Sequence, residues 1–373
     1  MKRQTIRDVA AAAGVSTATV SRTLAPDKTG RVSEDTRRLV FSVVESLGYR
    51  TNHAARSLKT RSTRTIAIVA PELANDFFMD LAEGMEGELD AHGYTLLIAS
   101  SANSGEEEKK RLSVLADRMV DGMVVIPAGA RGAHLKALAG RGVPVVLVDR
   151  LVEGVDLDAV LSDNEAGAFE LTRALLADGY RRIAFVGGDI TISTARERLS
   201  GFGRALAEGG IRPEPDWIRL GGMGVEDGYR GMDAILKFRR RPEALVAVNL
   251  LVHLGMERRL LEQNQRFWEK EAMVIAGFDE TVYTPFLPAC RYTAAQDAVG
   301  MGKQAVQRLL ERIALKKNAA GPEAAEETIG GQIIRLPVKI IRHHSESFLK
   351  SRSLSRNFSF GKAASDSGWK SGP

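Results

Sequence analysis

Acidic, amide and arginine side chains follow short apolar runs at several places in the sequence. Asp149 and Arg150 follow one run, Asn249 follows another, and Asp279 closes a G-F-D tripeptide at the end of a third. Carboxylate and amide oxygens accept hydrogen bonds from hydroxyl groups, and an arginine fork donates two. Phe77 could stack on the apolar face of a sugar ring, although it could equally belong to a core. These residue types could together bind a small ligand that carries hydroxyl groups.

The apolar runs alternate with amphipathic helical stretches, a pattern typical of parallel sheets covered by helices on both faces. Helical stretches cover, for example, residues 77–91, 106–119, 164–178 and 195–209. The strand-like runs span 65–70, 94–99, 122–126, 143–148, 182–187, 244–248 and 272–277. So many strands require two sheets, and ligands of open α/β sheets bind beyond the carboxyl ends of the strands. We therefore expect the polar side chains to line a cleft between two sheets.

The first fifty residues have the pattern of three short helices. A capping box of Thr5 and Asp8 begins the first helix, which ends before Gly14, and Ser16 and Ser33 cap the second and third. Two short helices joined by a glycine-containing turn form a helix-turn-helix, whose second helix can enter a DNA major groove. The positions predicted to face inward are Val20, Leu24, Leu39, Val40, Val43, Val44 and Leu47.

Charge is distributed unevenly along the chain. Residues 1–64 contain 13 Lys and Arg against 5 Asp and Glu, whereas residues 65–344 contain 34 against 40. Residues 345–373 contain 5 against 2 and are rich in serine, which predicts a disordered tail. The basic front module indicates a polyanionic partner such as nucleic acid, although a solvated basic face would have the same composition.

The sequence disfavours several classes of protein. No apolar run reaches the roughly 20 residues of a membrane-spanning helix, and Arg7 and Asp8 interrupt the apolar stretch that an export signal would need. The single cysteine, Cys290, excludes an intramolecular disulfide and a cysteine-built zinc site. The sequence contains neither a phosphate-binding loop nor a nucleophile elbow. We expect a cytoplasmic protein that is not an enzyme and that has no cofactor or metal.

Two stretches of the front module resemble the LacI/GalR family of bacterial transcription regulators. They are T-I-R-D-V-A-A-A-A-G-V-S-T-A-T-V-S-R-T-L (5–24) and G-Y-R-T-N-H-A-A-R-S-L-K-T (48–60). The resemblance implies that Thr17, Ala18 and Arg22 contact base edges from the second helix of the helix-turn-helix. An arginine can donate two hydrogen bonds to guanine, and small methyl-bearing side chains can meet a thymine methyl group.

The resemblance also implies phosphate contacts and a hinge helix. Ala55, Arg56 and Leu58 would enter the minor groove, where Leu58 would act as a wedge that kinks the duplex. The candidate phosphate contacts are Thr5, Ser16, Thr19, Ser21 and Asn52. As alternatives, Thr5 and Ser16 could serve only as helix caps, and Leu58 could be an ordinary linker residue.

Residues 64–344 resemble the periplasmic-binding-protein-like core of the same family. The implied fold class is α/β, with an N-terminal all-α helix-turn-helix domain followed by two doubly wound parallel-sheet subdomains. The expected domains are 1–50 (helix-turn-helix), 51–64 (hinge helix and linker), 65–344 (effector binding and dimerisation) and 345–373 (disordered tail). Within the core, we expect subdomain one at 65–161 plus 295–327 and subdomain two at 162–292 plus 328–344.

The same resemblance implies a set of effector-contacting positions near the strand ends. They are Asn75, Phe77, Phe78, Asp149, Arg150, Asp163, Asn164, Thr194, Arg198, Met223, Asn249, Asp279 and Gln296. Leu250 stands where most members have aspartate, and Met223 stands where several have an aromatic ring. Asp163 and Asp279 could instead cap helices, and Arg150 could form a salt bridge at the rim of the cleft.

The sequence therefore predicts a transcription regulator, most simply a repressor. It would bind a pseudo-palindromic double-stranded operator as a homodimer, under allosteric control by a sugar, sugar acid or sugar phosphate. One alternative is a regulator with a degenerate pocket that a partner protein controls. Another is an exported solute-binding protein, which the basic helix-turn-helix disfavours.

Overall fold

The computed structural model describes residues 4–24, 32–49, 62–263, 273–318 and 330–343. The chain divides into two compact units, one ending at Thr63 and one beginning at Arg64. The predicted contacts Asn52, Ala55, Arg56 and Leu58, and the predicted tail at 345–373, lie outside the described residues. No helix within the described ranges is long and apolar enough to span a bilayer.

The N-terminal unit contains three helices, α1 (Ile6–Ala12), α2 (Thr17–Thr23) and α3 (Glu34–Ser46). Its small core consists of Val9, Ala10, Ala13, Val20 and Val40, against which Val43, Val44 and Leu47 pack. The predicted burial of Leu39 is wrong, because its side chain is 46% exposed. The buried face of α3 runs through Val40, Val44 and Leu47, which leaves Leu39 at its edge.

Local signals explain where these helices begin. Asp8 accepts hydrogen bonds from both the backbone N–H and the hydroxyl of Thr5, each at 2.8 Å, so the predicted capping box is confirmed. Ser16 Oγ accepts from Thr19 N at 3.1 Å. Gly14 adopts a φ of +64° after α1, a left-handed conformation that a side chain would disfavour.

A six-stranded, fully parallel sheet forms what we call the first lobe of the second unit. The strands are β1 (Thr65–Ala70), β2 (Thr95–Ser100), β3 (Gly122–Val125), β4 (Val145–Val148), β5 (Asp158–Ser162) and β11 (Ile333–Leu336). Their order across the sheet is β2-β1-β3-β4-β5-β11. The helices that cover it are α4 (Asp76–Ala91), α5 (Gly105–Asp117), α6 (Ala133–Gly140) and α11 (Ala298–Asn318).

A second six-stranded sheet forms the second lobe, with the order β7-β6-β8-β9-β10-β12. Its strands are β6 (Ile183–Val186), β7 (Ile218–Arg219), β8 (Ala244–Ala247), β9 (Val274–Phe278), β10 (Cys290–Ala295) and β12 (Lys339–Arg342), of which β12 is antiparallel. The covering helices are α7 (Asn164–Ala177), α8 (Ser193–Glu208), α9 (Val225–Leu236) and α10 (Leu250–Glu262). The predicted fold class, a helical front domain and two doubly wound sheets, is confirmed.

Three very short connections join the two lobes. Asp163 links β5 to α7, Gln296 and Asp297 link β10 to α11, and Pro337 and Val338 link β11 to β12. The last connection corrects a predicted boundary, since 328–344 was expected to lie wholly in the second lobe. Ile333 to Leu336 instead pair with β5 in the first lobe. The run I-I-R-L-P-V-K-I-I-R resembles one strand, but its proline cannot donate to a sheet ladder and divides it into two.

Candidate ligand cleft and nucleic-acid interface

The exposed face of α2 carries the three predicted base-contacting residues. Thr17, Ala18 and Arg22 are all solvent-exposed, while Val20 and Thr23 turn inward. Arg22 Nε donates to Ala18 O at 3.2 Å, so the arginine lies along its own helix. The helix therefore presents two small side chains and one arginine to solvent, and their contact with bases stays a prediction.

The predicted phosphate contacts surround the start of α1 and α2. Thr5 and Ser16 cap these helices, and the Ser16 and Thr19 hydroxyls lie 2.9 Å apart. Thr5, Ser16 and Ser21 are exposed, whereas Thr19 is half-buried. A capping hydroxyl at a helix N-terminus remains close to backbone N–H groups that attract anions, so capping and phosphate binding are compatible.

Two strand-end aspartates occupy matching places in the two lobes. Asp149 follows β4 and Asp279 follows β9, which are the fourth strands of their sheets in chain order. Both have a left-handed backbone, with φ of +67° and +74°, a conformation that aspartate tolerates better than most residues. Both side chains are buried. The turn places each carboxylate beyond the carboxyl end of its strand, where such sheets bind ligands.

Asp149 and Arg150 form a buried pair in the first lobe. Arg150 Nε lies 3.4 Å from Asp149 Oδ2, beyond a good hydrogen bond, and has no hydrogen-bond partner in the described part of the chain. Arg150 Nη1 donates to Pro127 O at 3.1 Å. Burial raises the pKa of the Asp149 carboxyl, and the charges of Arg150 and Arg198 only partly offset it. The two arginines therefore compensate the cost of burying this carboxylate only in part.

Arg198 on α8 is the centre of a buried network in the second lobe. Its Nε donates to Asn164 Oδ1 at 2.8 Å, its Nη1 to Val248 O at 2.7 Å, and its Nη2 to Gln296 Oε1 at 3.3 Å. The guanidinium lies 3.8 Å from the centroid of the Phe278 ring. Burial lowers the pKa of Arg198, and the nearby Asp279 and Asp149 oppose that shift.

Asp279 is held by the protein on both carboxylate oxygens. Oδ2 accepts from Leu250 N at 3.2 Å, and Oδ1 accepts from Gln296 Nε2 at 2.6 Å. Asn249 caps α10 by accepting from Val252 N at 3.0 Å, and its amide donates to Met223 O at 3.0 Å. The leucine at 250 therefore still contributes its backbone N–H to the network.

Contacts between the lobes flank these side chains. Leu151 N donates to Ser193 Oγ at 2.9 Å, and Arg335 forms a two-pronged ion pair with Glu197 at 2.9 and 3.1 Å. Thr194, next to Ser193, is buried, and its hydroxyl has no hydrogen-bond partner among the described residues. Arg150 and Thr194, each next in sequence to one partner of this bond, thus contribute one unpartnered buried atom from each lobe.

The remaining predicted positions have structural partners in the first lobe and at its border. Asn75 caps α4 by accepting from Phe77 N at 3.1 Å. Phe77 and Phe78 pack edge to face, with centroids 5.5 Å apart, inside the first-lobe core. Asp163 caps α7 by accepting from Ala166 N at 3.1 Å. Their contact with an effector stays a prediction.

Sequence reasoning did not assign two residues that complete this network. Phe278 supports the Arg198 guanidinium, and Ser193 bridges the lobes. Asn164, which accepts from Arg198 Nε, was among the positions that the family resemblance implied. Phe278 and Ser193 stand immediately before Asp279 and Thr194, which were predicted. Adjacency to a predicted contact was therefore the available signal.

Comparison with known proteins identifies relatives of both units. Residues 5–52 match the family described as bacterial regulatory proteins, lacI family. Residues 63–342 match the family described as periplasmic binding proteins and sugar binding domain of LacI family.

Individual relatives agree with these matches. The HTH-type transcriptional repressor PurR of Aliivibrio salmonicida (strain LFI1238) is 32% identical over 310 residues, covering 83% of this chain and 92% of that protein. The HTH-type transcriptional regulator RegA of Clostridium saccharobutylicum is 31% identical, covering 84% and 93%. A solved complex of transcriptional regulator CelR with cellobiose is 27% identical, with a TM-score of 0.66 and coverage of 92% and 100%. A lac repressor dimer bound to operator and the anti-inducer ONPF shares the fold, at 23% identity, a TM-score of 0.76 and coverage of 91% and 98%.

Proposed function

The chain belongs to the LacI family of bacterial regulatory proteins, and we propose that it represses transcription in the cytoplasm by binding a pseudo-palindromic operator as a homodimer, under the control of a small sugar. The observation that carries the effector part of the proposal is the group of buried polar side chains where the two lobes meet. It includes the buried carboxylate Asp149 and two buried atoms without hydrogen-bond partners among the described residues, Arg150 Nε in the first lobe and Thr194 Oγ1 in the second.

The chemistry of these groups favours a hydroxylated ligand. A hydroxyl can donate to Asp149 and at the same time accept from Arg150 or Thr194, which neither a purely donating nor a purely accepting group can do. The buried charges of the cleft balance, with Asp149 and Asp279 against Arg150 and Arg198. An uncharged sugar would preserve that balance, whereas a sugar phosphate or sugar acid would add uncompensated negative charge. The CelR relative is bound to a neutral disaccharide, which supports this choice.

Exposed apolar residues on the surface of the second unit support a homodimer. Leu97 and Ile98 lie exposed on β2, an edge strand of the first sheet, and Val282 and Phe286 in the second lobe are 76% and 67% exposed. Apolar side chains of this size at a sheet edge favour pairing with another chain. A second copy would cover them and place two α2 helices on successive major grooves, about 34 Å apart.

Effector control then follows from the geometry of the cleft. A ligand that contacts both lobes favours one relative orientation of them, and this orientation biases the operator-bound state. Basic residues of the front module would contact phosphates, so operator affinity should fall steeply with salt.

The test is a selection of genomic fragments on the purified protein, followed by operator titration with matched pairs of probes. The pairs are D-glucose with glucose 6-phosphate, D-ribose with ribose 5-phosphate, and cellobiose with cellobionate. We expect a short palindrome whose occupancy changes with one uncharged member and not with its charged partner. A palindrome that ignores every probe would support control by a partner protein, and no enriched site would refute the operator assignment.

The hinge prediction has a separate test. Leu58→Ala should weaken operator binding and reduce the bend of the DNA, while sugar-dependent thermal stabilisation stays unchanged. Lys59→Ala serves as the control for loss of one basic contact, because it should alter the salt dependence without reducing the bend. An unchanged bend in Leu58→Ala would refute the wedge.

A further inference from the structure

A buried carboxylate lies behind the effector cleft, outside the residues assigned to it. Glu108 on α5 has a side chain that is 1% exposed, and its two oxygens have different partners. Oε2 accepts from Ala128 N at 2.6 Å, and Oε1 lies 2.6 Å from His134 Nε2 on α6. An ionised carboxylate is costly to bury, and short, charge-assisted hydrogen bonds are what offsets the cost.

The peptide unit that Glu108 holds is the one that holds Arg150. Pro127 O accepts from Arg150 Nη1 at 3.1 Å, and the Pro127 carbonyl and the Ala128 N–H belong to the same peptide bond. A trans peptide is planar, so its N–H and C=O point in opposite directions and cannot be oriented independently. Fixing the N–H on Glu108 therefore aims the carbonyl at the Arg150 guanidinium.

The loop at residues 126–132 is attached to the first lobe in other ways as well. Gly132 N donates to Glu153 O at 3.0 Å, and Glu153 N donates to Ala130 O at 2.8 Å. Ile126 N donates to Val69 O at 2.9 Å. These bonds keep the two ends of the loop in place without Glu108, so Glu108 is needed to orient one peptide plane and not to retain the loop.

We propose that Glu108 and His134 are positioning residues of the effector cleft, which hold the Pro127–Ala128 peptide so that Arg150 is aimed at the ligand. The proposal rests on the proposed function, in which Arg150 contacts the sugar. His134 has a side chain that is 20% exposed and holds the second oxygen of Glu108, which prevents the carboxylate from rotating away from Ala128.

The experiment compares Glu108→Ala, Glu108→Gln and His134→Ala with the matched control Glu107→Ala. Glu107 lies on the same turn of α5, but its side chain is 37% exposed and forms ion pairs only with Lys110 and Arg111 among the described residues. Crystal structures of the ligand-free variants measure the Arg150 Nη1 to Pro127 O distance. We expect it to exceed 3.5 Å in Glu108→Ala and to stay near 3.1 Å in Glu107→Ala. Glu108→Gln should remain close to the parent, since its amide oxygen still accepts from Ala128 N.

Calorimetric titration with D-glucose, D-ribose and cellobiose measures the effect of each variant on sugar affinity. Glu108→Ala should weaken binding of the probe that binds the parent about tenfold, the ratio expected for losing one aimed hydrogen bond. The same change in an Arg150→Ala background should have almost no further effect. His134→Ala leaves the Glu108–Ala128 bond in place, so it should give a smaller loss. It provides a second test if Glu108→Ala does not fold.

Two outcomes would overturn the positioning role. One is an Arg150 guanidinium that keeps its place in the Glu108→Ala crystal, and the other is an equal loss of affinity with and without Arg150. If no probe binds the parent, the uncharged-sugar part of the proposed function fails. The crystallographic arm then still decides whether Glu108 and His134 position Arg150.

Discussion

The two lobes carry the same strand-end aspartate in two different states. Asp149 and Asp279 follow equivalent strands, and both adopt a left-handed backbone and lie buried. Asp279 receives two hydrogen bonds from the protein, at 3.2 and 2.6 Å. For Asp149, the charged contact within the described residues is the 3.4 Å approach of Arg150 Nε. At the same position of the fold, the aspartate of the second lobe has two close donors from the protein, whereas that of the first lobe has an arginine beyond good hydrogen-bond distance.

This difference distinguishes a residue that stabilises the folded cleft, Asp279, from one that we expect to bind the ligand, Asp149. A buried polar group that the protein satisfies contributes to stability, whereas one left unsatisfied costs stability until a ligand supplies its partner. We therefore expect substitutions of Asp149 to act mainly on ligand binding. Substitutions of Asp279 should act mainly on folding.

The largest effect is expected for ligand binding by Asp149→Ala. Effector affinity should fall about 100-fold, because each hydrogen bond to a charged group contributes about 1.5–3 kcal/mol. Titration with the sugar that alters operator occupancy measures the loss. Asp117→Ala, at an exposed position on α5, is the control and should bind like the parent. If the Asp149→Ala protein bound the sugar with the affinity of the parent, Asp149 would not be a ligand-binding residue, and the proposed difference from Asp279 would be wrong.

The next effect concerns the stability of the second lobe. Asp279→Ala should lower the free energy of unfolding by about 3 kcal/mol, because Leu250 N and Gln296 Nε2 lose their acceptor and Arg198 loses a compensating charge. Urea unfolding of the ligand-free protein measures it. Asp149→Ala should change the same quantity by less than about 1 kcal/mol, and equal losses would show that the two aspartates have the same role.

A smaller effect is expected for Gln296→Ala. This change frees Asp279 Oδ1 and removes the acceptor of Arg198 Nη2, so we expect a loss of about 1 kcal/mol in unfolding free energy. It also makes Asp279 resemble Asp149 by leaving one oxygen open. Gln307→Ala, at an exposed position on α11, provides the baseline in the same assay. A variant as stable as that control would mean that Gln296 does not satisfy Asp279.

The smallest effect is a pH dependence of stability. Because burial raises the pKa of Asp149 in the folded state, its contribution to stability is fully present below the unfolded value near 4 and is lost as the pH rises through the folded value. Ligand-free Asp149→Asn should therefore melt a few degrees above the parent at pH 7 and equal it near pH 4. Melting curves of both proteins between pH 4 and pH 7 measure the difference in melting temperature and its sign. A parent that gains stability over the variant as the pH rises would contradict it.

Much of the fold could be predicted because buried parallel strands appear as apolar runs. The predicted runs at 65–70 and 244–248 coincide with β1 and β8 to within one residue. Five strands were missed. Three of them lack this signal, since β7 has two residues and β11 and β12 contain only exposed and half-buried positions. Edge strands bury too little surface to show an apolar pattern. The other two, β5 and β10, are buried, but polar residues interrupt their apolar runs.

The site was less predictable than the fold. The predicted residues Asp149, Arg198 and Asp279 do lie in one connected group in the structure, as residue types at strand ends suggest. Glu108 had no such signal, because it lies in the first turn of α5 within the charged run E-E-E-K-K-R and resembles a solvated position. Only the three-dimensional packing of α5 against the loop after β3 shows that it is buried.

The three connections between the lobes have a mechanical consequence. Each contains only one or two residues, and one of them includes Pro337, whose φ is fixed. Such short tethers leave little freedom to slide or separate, so the lobes can move only by turning about an axis through the tethers. Gln296 lies on that axis and touches both Arg198 and Asp279. A ligand that contacts these side chains therefore acts close to the rotation axis. A small rotation of one lobe there displaces its atoms by a distance that grows with their distance from the axis.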